Sequence, residues 1–302
     1  MAIERLPSTG DAPRATGVPE SLVAGGDADS AGIPWAGRTF DFHDTAFAGD
    51  DGSTPAVWRD AVAEVRAAAG SLAAATAEHT PEGARAGGAL TALADAHRGA
   101  LRALSGIRVL VPLLTEAGDV GLTPEGRTVE KTQELSIVTV AAPDGRRAMP
   151  VFSSVETLRR WNPEARPIPV PGPQAALAAA QEGTELLIID AASPELEFGV
   201  RRTQLQAVAL DAESVPPWVD PEVARVFDAS IAGNPRAVGI ELAPGDPEAR
   251  LVAAETVAVL RVVPGLDRAS LDALLLPIQQ RWAASETIAE RVDSLRVAIR
   301  TA

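Results

Sequence analysis

The stretch SIVTVAAPDGRRAMPVF, residues 136–152, decides the fold. Two short runs rich in β-branched and apolar residues, SIVTVAA at 136–142 and RAMPVF at 147–152, flank Pro143, Asp144 and Gly145. Proline pre-sets the first turn position and glycine accepts the positive φ that a tight reversal demands, so the spacing predicts an antiparallel hairpin. Ser153 and Glu156, three apart before Leu158, read as a capping box that starts a short helix at Val155, and Asn162 and Pro163 stop it. RPIPVPG (166–172) reads as an extended, proline-bearing edge segment. Pro173 opens a further helix that Gly183 ends, and LLIID (186–190) reads as a buried strand running into an aspartate. With IRVLVPLL (107–114) as another strand, the pattern is α+β: a mixed or antiparallel sheet packed with helices.

Working outward, Thr54 and Pro55 open a helix carrying Val57, Trp58, Ala61, Val65 and Leu72 near helical spacing. Thr80, Pro81 and Glu82 repeat the start signal ahead of Leu90, Leu93, Ala94, His97, Leu101 and Leu104, although Gly87 and Gly88 place the firm part of that helix from Ala89 onward. Downstream, Pro216, Pro217 and Trp218 mark a boundary, and Asp220, Pro221 and Glu222 open a helix. The run 237–243 buries Val238, Ile240 and Leu242 by alternation, and PGDPE (244–248) turns the chain towards a strand at 256–263. Leu271, Leu274, Leu275, Ile278 and Trp282 form one helical stripe that Pro277 should kink, whereas residues 294–300 fit helix and strand equally. The division expected is a disordered arm (1–31), an aromatic strap (32–53) with Trp35, Phe40, Phe42 and Phe47, an alanine-rich helical hairpin (54–106), an α+β domain (107–215) and a smaller α+β domain (216–302).

The chain has 302 residues, and its 27 basic against 41 acidic side chains leave a net charge of −14, which repels phosphate backbones and anionic lipid surfaces. No nucleic acid and no membrane are therefore expected as partners. Without cysteine there are no disulfides, thiolate metal sites or cysteine nucleophiles. Neither a secretory signal nor a bilayer-spanning run is legible, so a cytoplasmic protein is expected. No GxSxG elbow, Walker loop or GxGxxG follows a strand, and no cofactor is implied. Lys131 is the single lysine, and the arginine, alanine and glycine load points to a high-G+C coding background.

The stretch from Glu130 to Asp190 resembles the N-terminal domain of the SseB family, the enhanced-serine-sensitivity proteins of bacteria, through Lys131, Asp144, Gly145, Arg146, Pro150, Phe152, Ser153, Trp161, Pro163, Arg166, Pro167 and Asp190. The resemblance spans roughly residues 107–210, residues 268–297 resemble the same family's C-terminal domain, and GIPWAGRTF (32–40) resembles the leader of its high-G+C members. Leu135 departs from the methionine more often found there, a volume-conserving exchange. The resemblance implies an α+β fold with two domains and brings no established reaction; the family name alone suggests a link to serine or amino-acid metabolism.

Candidate interaction or ligand residues are Lys131, Arg146, Phe152, Trp161, Arg166 and Asp190. Arg146, Arg147, Arg159, Arg160 and Arg166 concentrate positive charge in an acidic chain, and the interleaved Phe152 and Trp161 give the group the composition of a recognition face, while Trp161 also suits a core position. The three histidines do not assemble into a metal site, and carboxylate pairs such as Glu195 with Glu197 read as solvated charge. The expectation is a non-enzymatic module binding an unknown protein partner. The alternative is a regulatory module holding a small amino acid or carboxylate between the two domains.

Overall fold

The computed structural model describes residues 3–5, 47, 49–77, 83–115, 120–122, 128–130 and 135–302. Of the stretch 1–53, read as arm and strap, it therefore shows Ile3–Arg5, Phe47 and residues 49–53, and Trp35, Phe40 and Phe42 lie outside the described residues.

In chain order the elements are β1 (Ile3–Arg5), α1 (Ala56–Ala77), α2 (Gly83–Ser105), β2 (Arg108–Thr115), β3 (Val120–Leu122), β4 (Thr128–Glu130), β5 (Leu135–Ala141), β6 (Arg147–Val151), α3 (Val155–Trp161), β7 (Arg166–Pro171), α4 (Gly172–Gln181), β8 (Leu186–Ile189), β9 (Phe198–Val200) and α5 (Arg202–Leu210). Then follow α6 (Pro221–Ile231), β10 (Ala237–Pro244), β11 (Thr256–Val262), α7 (Arg268–Ala283), α8 (Glu286–Arg291) and β12 (Leu295–Thr301). The architecture is α+β.

β5 and β6 pair antiparallel, with Val140 opposite Ala148 and Ala141 opposite Arg147. At the tip the Gly145 N–H donates to the Ala142 carbonyl and Gly145 takes φ +86°, the conformation a glycine adopts freely. The main sheet runs β7-β2-β5-β6-β8-β9, with β1 against β5, and β6–β8 is its parallel pair. β7, with its three prolines, lies at the edge where missing N–H groups cost no ladder bond.

Alternation along the strands divides the core. Met149, Val151, Leu187 and Ile189 join Trp58, Val62, Val65, Leu104 and Ala176 on one face, so the helical hairpin and α4 share a core with the sheet. Ala148, Phe152, Leu186 and Ile188 join Leu158 of α3 on the other.

α2 begins at Gly83, six residues ahead of the start read from its glycines; a Cβ at Gly87 or Gly88 would meet nothing, so both sit on an open helix face where neighbours carry the helix through. The α3 cap is Ser154 with Thr157, one residue beyond the expected Ser153 and Glu156. Ser153 is instead held by its backbone N–H to Asp190 and by its hydroxyl to Thr54.

After residue 216 the chain builds a separate three-stranded sheet, β10-β11-β12, antiparallel then parallel, with Phe227, Leu274, Ile278 and Trp282 of α6 and α7 packed on it. α7 runs through Pro277 as one helix. The ambiguous stretch 294–300 resolves as strand, β12 over Leu295–Thr301, with the short helix α8 ahead of it. In β10 a register shift between Ala237 and Gly239 turns Val238 outwards and Ala237 inwards, so the expected burial of Val238 does not occur.

The β10–β11 connection is more than the short turn expected of PGDPE. It leaves its own sheet and docks on the edge strand β9, where the Gly199 N–H donates to the Ala249 carbonyl at 2.6 Å. Ala249 enters the helix-covered core and Leu251 the opposite one, both at positive φ.

Candidate functional site

The polar groups that hold the domains together start from the hairpin tip. Arg146 reaches across to Asp293, ahead of β12, with Nη1 on Oδ1 at 3.0 Å and Nη2 on Oδ2 at 2.7 Å, and its Nε donates to Asp144. Two parallel N–H···O bonds fix a guanidinium on a carboxylate in both position and angle. Arg201, at the start of α5 and almost fully buried, donates to Asp246 at 2.6 Å, to Asp293 at 3.2 Å and to the Ser294 hydroxyl. Burial pushes the Asp293 carboxyl up, but the bonds and charge of Arg146 and Arg201 outweigh it and hold the group below the ordinary aspartate range.

Asp246 shapes the docking loop as well: its carboxylate accepts the backbone N–H groups of Arg250 and Leu251. His97 of α2 meets the Pro247 carbonyl through Nε2 at 2.8 Å. A carbonyl can only accept, so Nε2 carries the proton. Burial holds this imidazole below its usual value, against the raising effect of the Pro247 bond.

Glu255, at the foot of β11, is 5% exposed. Its Oε2 accepts the Asp293 N–H at 2.8 Å, while Oε1 has no partner among the described residues. Burial pushes its carboxyl up to about 7. Glu255 lines the inner wall of a cleft of about 330 Å³ between the domains. Thr203, Gln204 and Gln206 of α5 form one side, Ser214 and Asp220 the connecting segment, and Glu290 and Arg291 of α8 the other. Behind Gln204 and Glu255 lies a void of about 10 Å³ that also touches His97 and Arg201. Arg291 is held by Asp220 at 2.8 Å, and Arg202 ties α5 to the Ala289 carbonyl of α8.

The residues singled out in the sequence separate in space. Lys131 lies outside the described residues, as do His43 and His79. Arg146, a candidate interaction residue at the hairpin tip, is engaged by Asp293 because β12 starts beside it. Arg160 is paired with Glu195 and Glu156, whereas Arg147, Arg159 and Arg166 are exposed. Phe152 is fully buried and contributes to the core rather than to a surface; Trp161 is half-buried with its ring 5.2 Å from that of Phe152, so it docks α3 on the sheet.

Asp190 is fully buried at φ 54°, its Oδ1 accepting the Ser153 N–H at 2.8 Å. Burial raises its pKa, against the lowering effect of the Ser153 bond. It pins the end of β8 to the start of α3 and lines none of the clefts described here. Glu197 is also buried rather than solvated, facing Arg250 at 3.6 Å. Glu255, Asp293, Arg201 and Asp246 went unnoticed in the sequence. Their one local signal was three acidic residues and a serine, Asp246, Glu255, Asp293 and Ser294, each at the end of a strand or helix. Among the described residues no group of three or more histidines or carboxylates is placed to hold a metal ion, and no helix is long and apolar enough to cross a membrane.

These features define an α+β protein with a polar cleft between the helix α5 of its main sheet and the helix α8 beside its three-stranded sheet. Residues 88–207, from within α2 to the last turn of α5, match the family model described as SseB protein N-terminal domain. The chain thus carries a region similar to that domain, a match that supports membership of the SseB family. No curated protein and no solved structure matches the chain.

Proposed function

We propose that this SseB-family chain is a non-catalytic binding module that holds a small polar molecule in the cleft between its domains. The observation that supports it is Glu255, a residue that lines a cleft of about 330 Å³ and whose buried carboxylate has one oxygen unpartnered among the described residues. A buried polar atom without a partner costs on the order of 1–3 kcal/mol, a cost that a bound group can offset. The cleft draws on both domains, so its occupant favours their docked arrangement and reports binding to the rest of the molecule. A cytoplasmic setting is part of the same proposal and rests on the sequence reading of no legible secretory signal or bilayer-spanning run.

The test is a thermal-shift titration of the full chain with a fractionated small-molecule extract, against Thr203→Trp, which fills the cleft. Stabilisation by a fraction in the parent and its loss in Thr203→Trp supports the reading; equal shifts in both, or none, overturn it.

A protein partner is the second reading. Arg147, Arg159 and Arg166, exposed in an otherwise acidic chain, favour an acidic one.

A further inference from the structure

Resting on the cleft reading, the chemistry of the lining narrows the occupant. Around the cleft stand Glu213, Asp220, Glu255 and Glu290 against the single cation Arg291, which Asp220 already engages. A free carboxylate entering there meets net repulsion. The last turns of α5 (Ala207 and Leu210) and α8 (Glu290 and Arg291) also line it, and helix C-terminal ends favour positive charge. Gln204, Gln206, Thr203 and Ser214 supply neutral acceptors. No metal ion fits, since no group of three or more carboxylates or histidines is suitably placed among the described residues.

We infer that the cleft binds a small organic cation through a primary ammonium group, with Glu255 on the inner wall and Glu290 at the rim as its acceptors. An ammonium has three donors and no acceptor, which matches the unpartnered Oε1 of Glu255 and the exposed carboxylate of Glu290. The volume readily admits a diamine or an α-amino acid. In the second case the Arg291 guanidinium, with N–H groups beyond the one given to Asp220, would take the carboxylate.

Calorimetric titration of the full chain at pH 8 with putrescine, L-alanine and acetate separates these sources. Binding of putrescine alone identifies a diamine-type ligand, and binding of L-alanine alone or of both identifies the ammonium with a tolerated or recognised carboxylate. In each supporting case Glu255→Gln weakens binding at least tenfold, and Glu290→Gln, an exposed change that leaves folding intact, weakens it severalfold. Amine binding unaffected by either substitution overturns the inference. Acetate binding that Thr203→Trp abolishes also overturns it, while leaving the cleft reading in place. If no probe binds at millimolar concentration the ammonium inference falls, and the cleft reading falls with it only if the extract titration is silent as well.

Discussion

A Cβ built on Gly199 would lie 2.3 Å from Cγ of Leu251: the leucine of the docking loop occupies the space that any side chain on the edge strand would need. Phe198 and Val200 point to the helix-covered core, so the opposite side of β9 is left empty at Gly199 and is filled from the second domain. Gly199→Ala forces this contact apart. The expected loss is about 1–3 kcal/mol, as for overpacked cores, with the unfolding transition broadening or splitting relative to the parent as the loop lifts. Denaturant unfolding followed by tryptophan fluorescence checks this; a variant with parental midpoint and one transition would show that the loop is not wedged there.

Leu251→Ala tests the same contact from the other side. A fully buried leucine reduced to alanine costs about 2–5 kcal/mol, and here the loss should fall on the N-terminal core although the residue belongs to the second domain. Hydrogen exchange in β8 and β9 should accelerate; unchanged protection there would contradict the shared core.

Arg146 and Arg166 should part company. Arg146→Ala leaves the buried Asp293 with Arg201 as its remaining cation, and breaking such a bidentate pair should cost about 2–3 kcal/mol after allowance for the partial exposure of Arg146. Arg166→Ala, on an exposed edge position, should stay within about 0.5 kcal/mol. Equal midpoints for the two variants would deny the inter-domain role of Arg146.

Glu255 gives the folded state a pH dependence with a definite sign. Its carboxyl rises from 4.5 in the unfolded chain to about 7 in the folded one, so the folded state binds the proton more tightly. The stabilisation is complete below pH 4.5 and is lost as pH climbs to about 7, by on the order of 3 kcal/mol. His97 works the other way: held below 6.5, it must protonate on unfolding, and stability falls as pH drops through that value. The difference between parent and Glu255→Gln midpoints from pH 4 to 8 isolates the glutamate. Parallel profiles would mean that Glu255 does not titrate in this range.

Most of the fold is legible locally. The hairpin follows from Pro143, Asp144 and Gly145, the edge position of β7 from its prolines, and the burial of β8 from an unbroken apolar run, because turn chemistry and hydrophobic period act within a few residues. The docking loop was not legible. Nothing in PGDPEARLVAAE says that Leu251 will fill a space at Gly199, because that depends on a strand some fifty residues earlier having no side chain there. The site failed for the same reason. Arg146 reads as a free surface charge until Asp293, 147 positions away, is brought beside it, and the lone acids that line the cleft have no shared motif.

The loop has a further consequence for the order of events during synthesis. The β9 edge and the two core layers beside it are complete only once residues 249–251 have left the ribosome, after the whole of residues 88–207 has emerged. Until then the nascent domain carries an unsealed seam at Gly199, an open strand edge of the kind that recruits other chains. The segment that covers this edge is thus supplied late, from within the same polypeptide.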